Sequence, residues 1–503
     1  YKSSATTPGL ITSENELGHL SPALYPASRQ AESAMPPPSP VRVVSSRTVK
    51  PPARPRERIP LASWDVSMIN ANYIQKGLLF PAPPPPFSTG AAVTSHLADA
   101  LAEALGGDYY PVAGRFVTDR HRDDSGAVVG CSVSIDCDGQ GVEVIHAVAD
   151  GVVADDVVPL DADVPSIVED LFLLNDAINY DGHELPLFAA QVTELADGSV
   201  FVGFVCNHAL ADGTAFWNFL KTLAEISRAR LAPPGAPQLP TSSPRPMFER
   251  WSPDGGTAAP VVLPCKDLSE LIERPARVPL RGRVLHFSAE SMAALKEQAR
   301  EELLAAGDAA GAAALTRYQA LTSLIWRCIT RARRLAPDSE TAFRGAANNR
   351  GRLRPALPAE YFGNSLYAVS TEPVRVSELL ARGGHGRAAA AVGCAVAANT
   401  NASIRARVAA WTADPVVTVR LTMMGGSPWF DAYGCDFGWG KPTAVRSGRA
   451  NKNDGRTVLY PGREGGGSVD AEVSLSPEHM AALELDDELR AAVSSSRANF
   501  VSL

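Results

Sequence analysis

Apolar and polar positions alternate along VRVVSSRTVKP (41–51), the period of an extended strand, and its β-branched residues favour the same conformation. The period lengthens in SHLADALAEALGG (95–107), where apolar residues recur at helical spacing and glycine stops the run, so an amphipathic helix is predicted. YYPVAGRFV and CSVSIDCDGQGVEVIHAVAD return to short strands around a DGQG turn. LPLFAAQVTELADGSVFVGFVCNHAL (185–210) has the pattern of a hairpin that turns at Ala196-Asp197-Gly198. The helix beyond it carries Phe216, Phe219, Leu220, Leu223 and Ile226 along one face.

Residues 231–260 break this rhythm with proline, serine and glycine, and mark a boundary. After them come a strand (RGRVLHFS), a helix (SAESMAALKEQARE) and a second long helix (TRYQALTSLIWRCITRARRL), an order that partly echoes the first half. The expected fold class is α/β with two related αβ domains, at 41–230 and 276–503, joined by a crossover at 231–275. Residues 1–40 are polar and proline-rich without an apolar segment, and read as a disordered tail rather than a secretory signal.

Composition narrows the function. A chain of 503 residues is too long for one simple core, and 45% hydrophobic with 20% charged residues is ordinary globular composition. A net charge of −8 argues against nucleic acid or an anionic membrane as the main partner. The longest apolar run, Ala388 to Ala398, is too short to span a bilayer. Seven cysteines without a CxxC pair suggest buried free thiols in a reducing compartment, with the cytoplasm as the expected location. GxSxG, HExxH, a P-loop and GxGxxG are all missing, so a serine hydrolase, a bound metal and a nucleotide fold are not expected.

One chemical pattern occurs twice. HAVADG carries His146 and Asp150, and HALADG carries His208 and Asp212. Four carboxylates follow His146 closely and no amphipathic helix does, which suits a strand histidine leading into an acidic surface loop. His208 is delivered by an apolar strand, followed by a tight ADGT turn and locked by a helix rich in aromatics. A rigid strand-to-helix turn is where a general base belongs, although a core histidine fits that turn equally well. Further on, DFGWGKP (436–442) forms a tight turn around one indole, and its glycines alone do not explain the whole heptad.

Together, HALADG at 208–213 and DFGWGKP some 230 residues later resemble the BAHD family of plant acyl-CoA-dependent acyltransferases. The likeness extends from about residue 41 to the C-terminus through YYPVAGR (109–115), NNRGRLRPALPAEYFGNS (348–365) and the tail VRSGRANKNDGRTVLYPGREGGGSVDAEVSL. YIQKGLLF and the NKNDG tail resemble the branch that holds the cuticle-associated and salicylate-pathway members. The resemblance implies a chloramphenicol acetyltransferase-like pair of αβ domains with a solvent channel between them. It also implies a monomer with no permanently bound cofactor, taking acyl-CoA as co-substrate and a small-molecule acceptor.

Carried over residue by residue, the resemblance makes His208 the base that deprotonates the acceptor. Asp212 then points away from the histidine and pairs with an arginine, matched here by Arg350. Thr316, Arg317 and Asn348 fall on the CoA side, and Lys441 stands by the CoA entrance as a phosphate contact or a solvated surface lysine. Asp436, Phe437, Gly438, Trp439 and Gly440 are structural or CoA-channel residues. Hydroxycinnamoyl-transferring members carry Ser/Thr-Trp nine to ten residues before the DFGWG aspartate. Here Gly426 and Ser427 occupy those places and Trp429 is displaced, so Ser427 is left as the hydrogen-bond donor to an oxyanion. Two rivals share the scaffold: a lyase acting on an isochorismoyl–amino acid conjugate, and a non-catalytic binding protein.

Overall fold

The structure, a computed structural model, describes residues 39–159, 162–233, 243–253, 259–274, 276–417 and 423–494. Most of the expected N-terminal tail, and residues 234–242, 254–258 and 275 of the expected crossover, lie outside the described residues.

Twelve strands build two six-stranded mixed sheets. In chain order they are β1 (Val41–Val49), β2 (Ile74–Phe80), β3 (Val142–Ala149), β4 (Phe188–Leu195), β5 (Val200–Cys206), β6 (Arg281–Phe287), β7 (Arg344–Asn348), β8 (Leu366–Ser370), β9 (Met424–Gly426), β10 (Ala444–Ser447), β11 (Arg456–Pro461) and β12 (Val469–Leu475). The first sheet runs β1-β3-β4-β5-β2-β10 and the second β8-β7-β9-β11-β12-β6. The strand β10 follows DFGWGKP in the chain, yet it pairs antiparallel with β2, from Ala444 opposite Leu79 to Ser447 opposite Lys76. A smaller three-stranded sheet gathers Arg58–Pro60, Arg115–Arg122 and Val128–Asp136.

Burial follows from the sequence of each strand. Every residue of β2 and β5 is buried, as in central strands covered on both faces; β5 is a near-continuous apolar run, whereas β2 buries Gln75 and Lys76 as well. Helices α1 (Gly90–Gly106) and α2 (Gly213–Ala229) cover one face of the first sheet, placing Leu97, Leu101, Phe216, Phe219 and Leu220 in its main core. Phe172, Phe201 and Val205 pack on the other face. Helices α3 (Ala289–Ala305), α4 (Arg317–Ala332) and α5 (Gly384–Ala397) do the same for the second sheet through Leu295, Leu321, Ile325 and Val392.

The main core of the first sheet also takes in Phe437, Trp439, Val445, Val458 and Tyr460, so apolar packing is continuous from the first sheet to residues of the C-terminal half. Six cysteines are buried and free, but Cys394 is exposed, against the expectation of buried thiols. It lies on α5 two residues beyond the buried Val392, which turns it to the opposite side of the helix. Among the described residues no helix is long and apolar enough to cross a membrane.

Candidate active site

The strand β5 ends at Cys206 and α2 starts at Gly213, so Asn207 to Asp212 must reverse direction within six residues. Asn207 shapes the turn: its side-chain amide donates to the Asn179 carbonyl at 2.9 Å, and its Oδ1 accepts from the Ala209 N–H at 2.9 Å. Asp212 caps α2, accepting from the Ala215 N–H at 3.0 Å.

His208 is held by its main chain on both sides. Its N–H donates to Asn179 Oδ1 at 2.7 Å, and its carbonyl accepts from Asn364 Nδ2 at 2.8 Å. Asn364 is anchored in turn, because its N–H and its side-chain amide both donate to Asp65 Oδ1, at 2.8 and 3.0 Å. Asp65 forms an ion pair with Arg250 at 2.9 Å, and their side chains are 0% and 1% exposed. The guanidinium of Arg250 also donates to the Phe362 carbonyl at 2.5 Å.

The imidazole itself is less tied. Nδ1 is shut off from solvent and makes no hydrogen bond of standard geometry. Burial pushes the His208 pKa below its ordinary value, and the nearby charge of Arg456 pushes the same way. The histidine's own carbonyl and the Asp212 carboxylate oppose that shift without cancelling it. The ring is therefore neutral at physiological pH, the state a base needs.

Asp212 does not serve the imidazole directly. Its Oδ2 accepts from Arg350 Nη1 at 2.6 Å and from the Ser365 N–H at 3.0 Å; its Oδ1 accepts from Arg350 Nη2 at 3.0 Å as well as from the helix. Four donors saturate the carboxylate and none of them is His208. Arg350 is satisfied further by the carbonyls of Tyr361 and Gly363, at 3.1 and 3.0 Å. Both side chains are at least nine-tenths buried, so this two-point pair is shielded from water.

The other sequence-derived candidates divide into two groups. Asn348 and the loop that carries Ser427 lie against the start of α2. Asn348 donates to Thr214 Oγ1 at the start of α2, at 3.3 Å, and accepts from the Arg350 N–H at 2.9 Å. The Ser427 hydroxyl accepts from the Trp429 N–H at 3.2 Å, in a loop whose Phe430 stacks on Trp217 of α2 with ring centroids 6.3 Å apart. Thr316 and Arg317 instead open α4, where Thr316 is its N-cap, and neither makes a contact with His208, Asp212 or Arg350. Lys441 is exposed.

The DFGWG turn packs on the first sheet. Asp436 Oδ1 accepts from the N–H groups of Gly438 and Gly440, at 2.8 and 3.3 Å, and closes the turn. Phe437 stacks on Trp439 at 5.2 Å, and Trp439 meets Phe80, Phe87 and His96 edge-on. Its Phe437 carbonyl accepts from Ser227 of α2 at 2.5 Å. His146 stays within β3, buried, with Nε2 3.9 Å from the Glu194 carboxylate and no link to the His208 turn.

Asp65, Asn179, Arg250 and Asn364 were not among the residues the sequence pointed to. Asn364 sits inside YFGNS, a stretch the motif analysis included, but its partner Asp65 lies 299 positions away and no local period connects them.

Residues 39–490 match the Transferase family. An uncharacterized acetyltransferase of Arabidopsis thaliana is 31% identical over 89% of this chain and 98% of its own length. The BAHD acyltransferase DCR of the same plant is 31% identical over 88% of this chain and 91% of that protein. Among solved structures, vinorine synthase superposes with a TM-score of 0.64 at 18% identity, over 90% of this chain and 99% of that one. TRI101 of F. graminearum complexed with ethyl coenzyme A gives 0.63 at 16%, over 87% and 99%.

Proposed function

The chain belongs to the Transferase family of BAHD acyltransferases, and from that premise we propose that it moves an acyl group from a CoA thioester to a hydroxyl or amine of a plant specialised metabolite, with His208 as the general base. The observation that carries this reading is the double grip on the His208 peptide by Asn179 and Asn364, which fixes its backbone at the strand-to-helix turn while the Asp212 carboxylate is committed to Arg350.

With its proton on Nδ1, beside the residue's own carbonyl, the ring presents the Nε2 lone pair. Nε2 takes the proton from the acceptor hydroxyl or amine as that oxygen or nitrogen attacks the thioester carbon. The new C–O or C–N bond forms, the carbonyl electrons move onto oxygen, and their return breaks the C–S bond. The imidazolium then gives its proton to the departing CoA thiolate, so no acyl-enzyme and no net proton is left on the protein. A positioned base of this kind contributes about 10²–10⁴-fold. Ser427 is the proposed donor to the oxyanion. Thr316, Arg317, Asn348 and Lys441 are the proposed contacts to CoA; Thr316 and Arg317 open a helix, where an anion is favoured. The CoA-bound TRI101 structure supports acyl-CoA as co-substrate.

The test follows free thiol release from a panel of acyl-CoAs with hydroxyl and amine acceptors, for the wild type, His208→Ala and His146→Ala. Loss confined to His208→Ala is expected. Equal loss in both variants, or loss only in His146→Ala, sinks the assignment. Turnover of isochorismoyl-glutamate without thiol release from any acyl-CoA replaces acyl transfer with the lyase reaction.

A further inference from the structure

Arg456 opens β11, and the pleat of that strand turns Arg456, Val458 and Tyr460 to one side. On that side Val458 and Tyr460 join the core of the first sheet, whereas Leu459 between them belongs to the core of the second. The guanidinium of Arg456 lies against Gly425 of β9, where a Cβ would stand 2.9 Å from Nη2 and 3.5 Å from Cζ. A side chain at Gly425 would push the guanidinium aside. Arg456 thus sits beneath the strand that leads into Ser427, close enough for its charge to act on His208.

Arg456 is half-buried, and the contrast with the buried arginines is sharp. Arg250 has Asp65, Arg327 has Glu488 and Arg350 has Asp212. The Arg456 side chain makes no ion pair and no hydrogen bond with any described residue, and its Nε is closed to solvent. Glu472, on the neighbouring strand β12, is already engaged. It accepts from the Ser447 N–H at 3.1 Å and the Tyr460 hydroxyl at 3.3 Å, and pairs with Lys452 at 3.5 Å. Lys76 is a buried cation of the same layer, donating to Ser447 Oγ at 2.7 Å and the Tyr460 hydroxyl at 3.2 Å. The half-buried guanidinium of Arg456 stays within reach of a small molecule, and its planar fork is matched to a carboxylate.

We propose that Arg456 is the acceptor's anchor: it receives a carboxylate of the acceptor as a two-point ion pair and so presents the acceptor's hydroxyl or amine to His208. The assignment rests on the acyl-transfer reading of that site. It narrows the acceptor class to hydroxy acids and amino acids, as against neutral alcohols and amines.

The experiment uses the full chain and measures thiol release from acetyl-, p-coumaroyl- and lauroyl-CoA. The acceptors are 3-hydroxybenzoate, 16-hydroxyhexadecanoate and glutamate, each beside its methyl ester. In the wild type an acid is expected to exceed its ester at least about tenfold in kcat/KM, within the range one charge-assisted pair supplies. Arg456→Met is expected to raise KM for the acid about tenfold more than for the ester. Arg456→Lys is expected to keep part of the preference, since it retains the charge and loses the fork. Acid and ester used equally by the wild type overturn the assignment. So does an equal fall in kcat for both with Arg456→Met, the mark of oxyanion stabilisation instead. If Arg456→Met fails to fold, the wild-type comparison decides alone. Absence of thiol release with every donor and acceptor overturns the acyl-transfer reading, and the anchor with it.

Discussion

Asn364 donates its side-chain amide to the main-chain carbonyl of His208 at 2.8 Å across 156 positions of sequence. The bond links the turn after β5 to the Asp65–Arg250 pair, so the histidine's position depends on a buried ion pair that it never touches. Active-site precision commonly depends on such supporting residues, because about 1 Å of misplacement costs about 10²-fold.

Asn364→Ala is therefore expected to lower kcat by about 10- to 100-fold while KM for the acyl-CoA changes little. Steady-state kinetics separate the two parameters, and a melting curve tracks any loss of fold. An unchanged kcat with a folded variant removes Asn364 from the support of His208. Asn364→Asp is a harsher change, since it sets a second carboxylate against Asp65 and loses the donor to His208.

The Asp212–Arg350 pair yields a stability prediction. Removing one partner leaves the other charge buried without a counter-ion, at a cost of about 3–5 kcal/mol. Asp212→Ala and Arg350→Ala are each expected to lose that amount in urea unfolding. The double variant is expected to lose clearly less than the sum, because no lone charge remains. Additive losses contradict a direct pair. Asp212→Ala also removes the cap of α2, so it is expected to be the worse of the two single changes by about 1 kcal/mol.

The downward shift of His208 fixes the direction of a pH profile. A base must be neutral, so kcat/KM is expected to rise with pH and level off, with its inflection below the ordinary histidine value of about 6.5. Arg456 contributes to that shift, so Arg456→Met moves the inflection upward; Asp212 opposes it, so Asp212→Asn moves it down. Stability follows the same sign. A histidine whose folded pKa is depressed favours the fold above its unfolded pKa, and that contribution fades as pH falls through the unfolded and then the folded value. An inflection above 6.5 in the wild type contradicts the burial of the ring.

Much of this was readable along the chain where a local period carried it. The hairpin β4–β5 and helices α2 and α4 stand where apolar spacing puts them. Helix α1 starts at Gly90, not at residue 95, because Thr89 caps it and accepts from the Ala92 N–H at 3.2 Å; the small residues of its first turn carry no apolar stripe to read. The strand β10 was not legible, since four residues of AVRS pair with β2 only once the chain has returned from the second half. Asp65, Arg250 and Arg456 escaped for the same reason. Their surroundings are set by tertiary pairing, and a lone charged residue in a sequence reads as surface. His208 was found through its motif, which is local, whereas the residues that hold it are not.

The DFGWG turn separates folding from chemistry. Gly438 and Gly440 have φ values of +105° and +114°, conformations that side chains rarely adopt. A Cβ on Gly438 would stand 2.3 Å from the end of the Leu231 side chain, and one on Gly440 would meet nothing within 4 Å. Leu231 is partly exposed and free to swing aside, so backbone strain dominates at both positions. Gly438→Ala and Gly440→Ala are each expected to cost about 1–3 kcal/mol. Trp439→Ala, which empties a site enclosed by Phe80, Phe87 and Phe437, is expected to cost about 3–5 kcal/mol. None of the three makes a hydrogen bond to the His208 turn, so activity in each variant is expected to follow the fraction of folded protein. Calorimetry beside kinetics at low temperature checks this. A variant that keeps its melting temperature and loses more than about tenfold in kcat would move the turn from the scaffold into the chemistry.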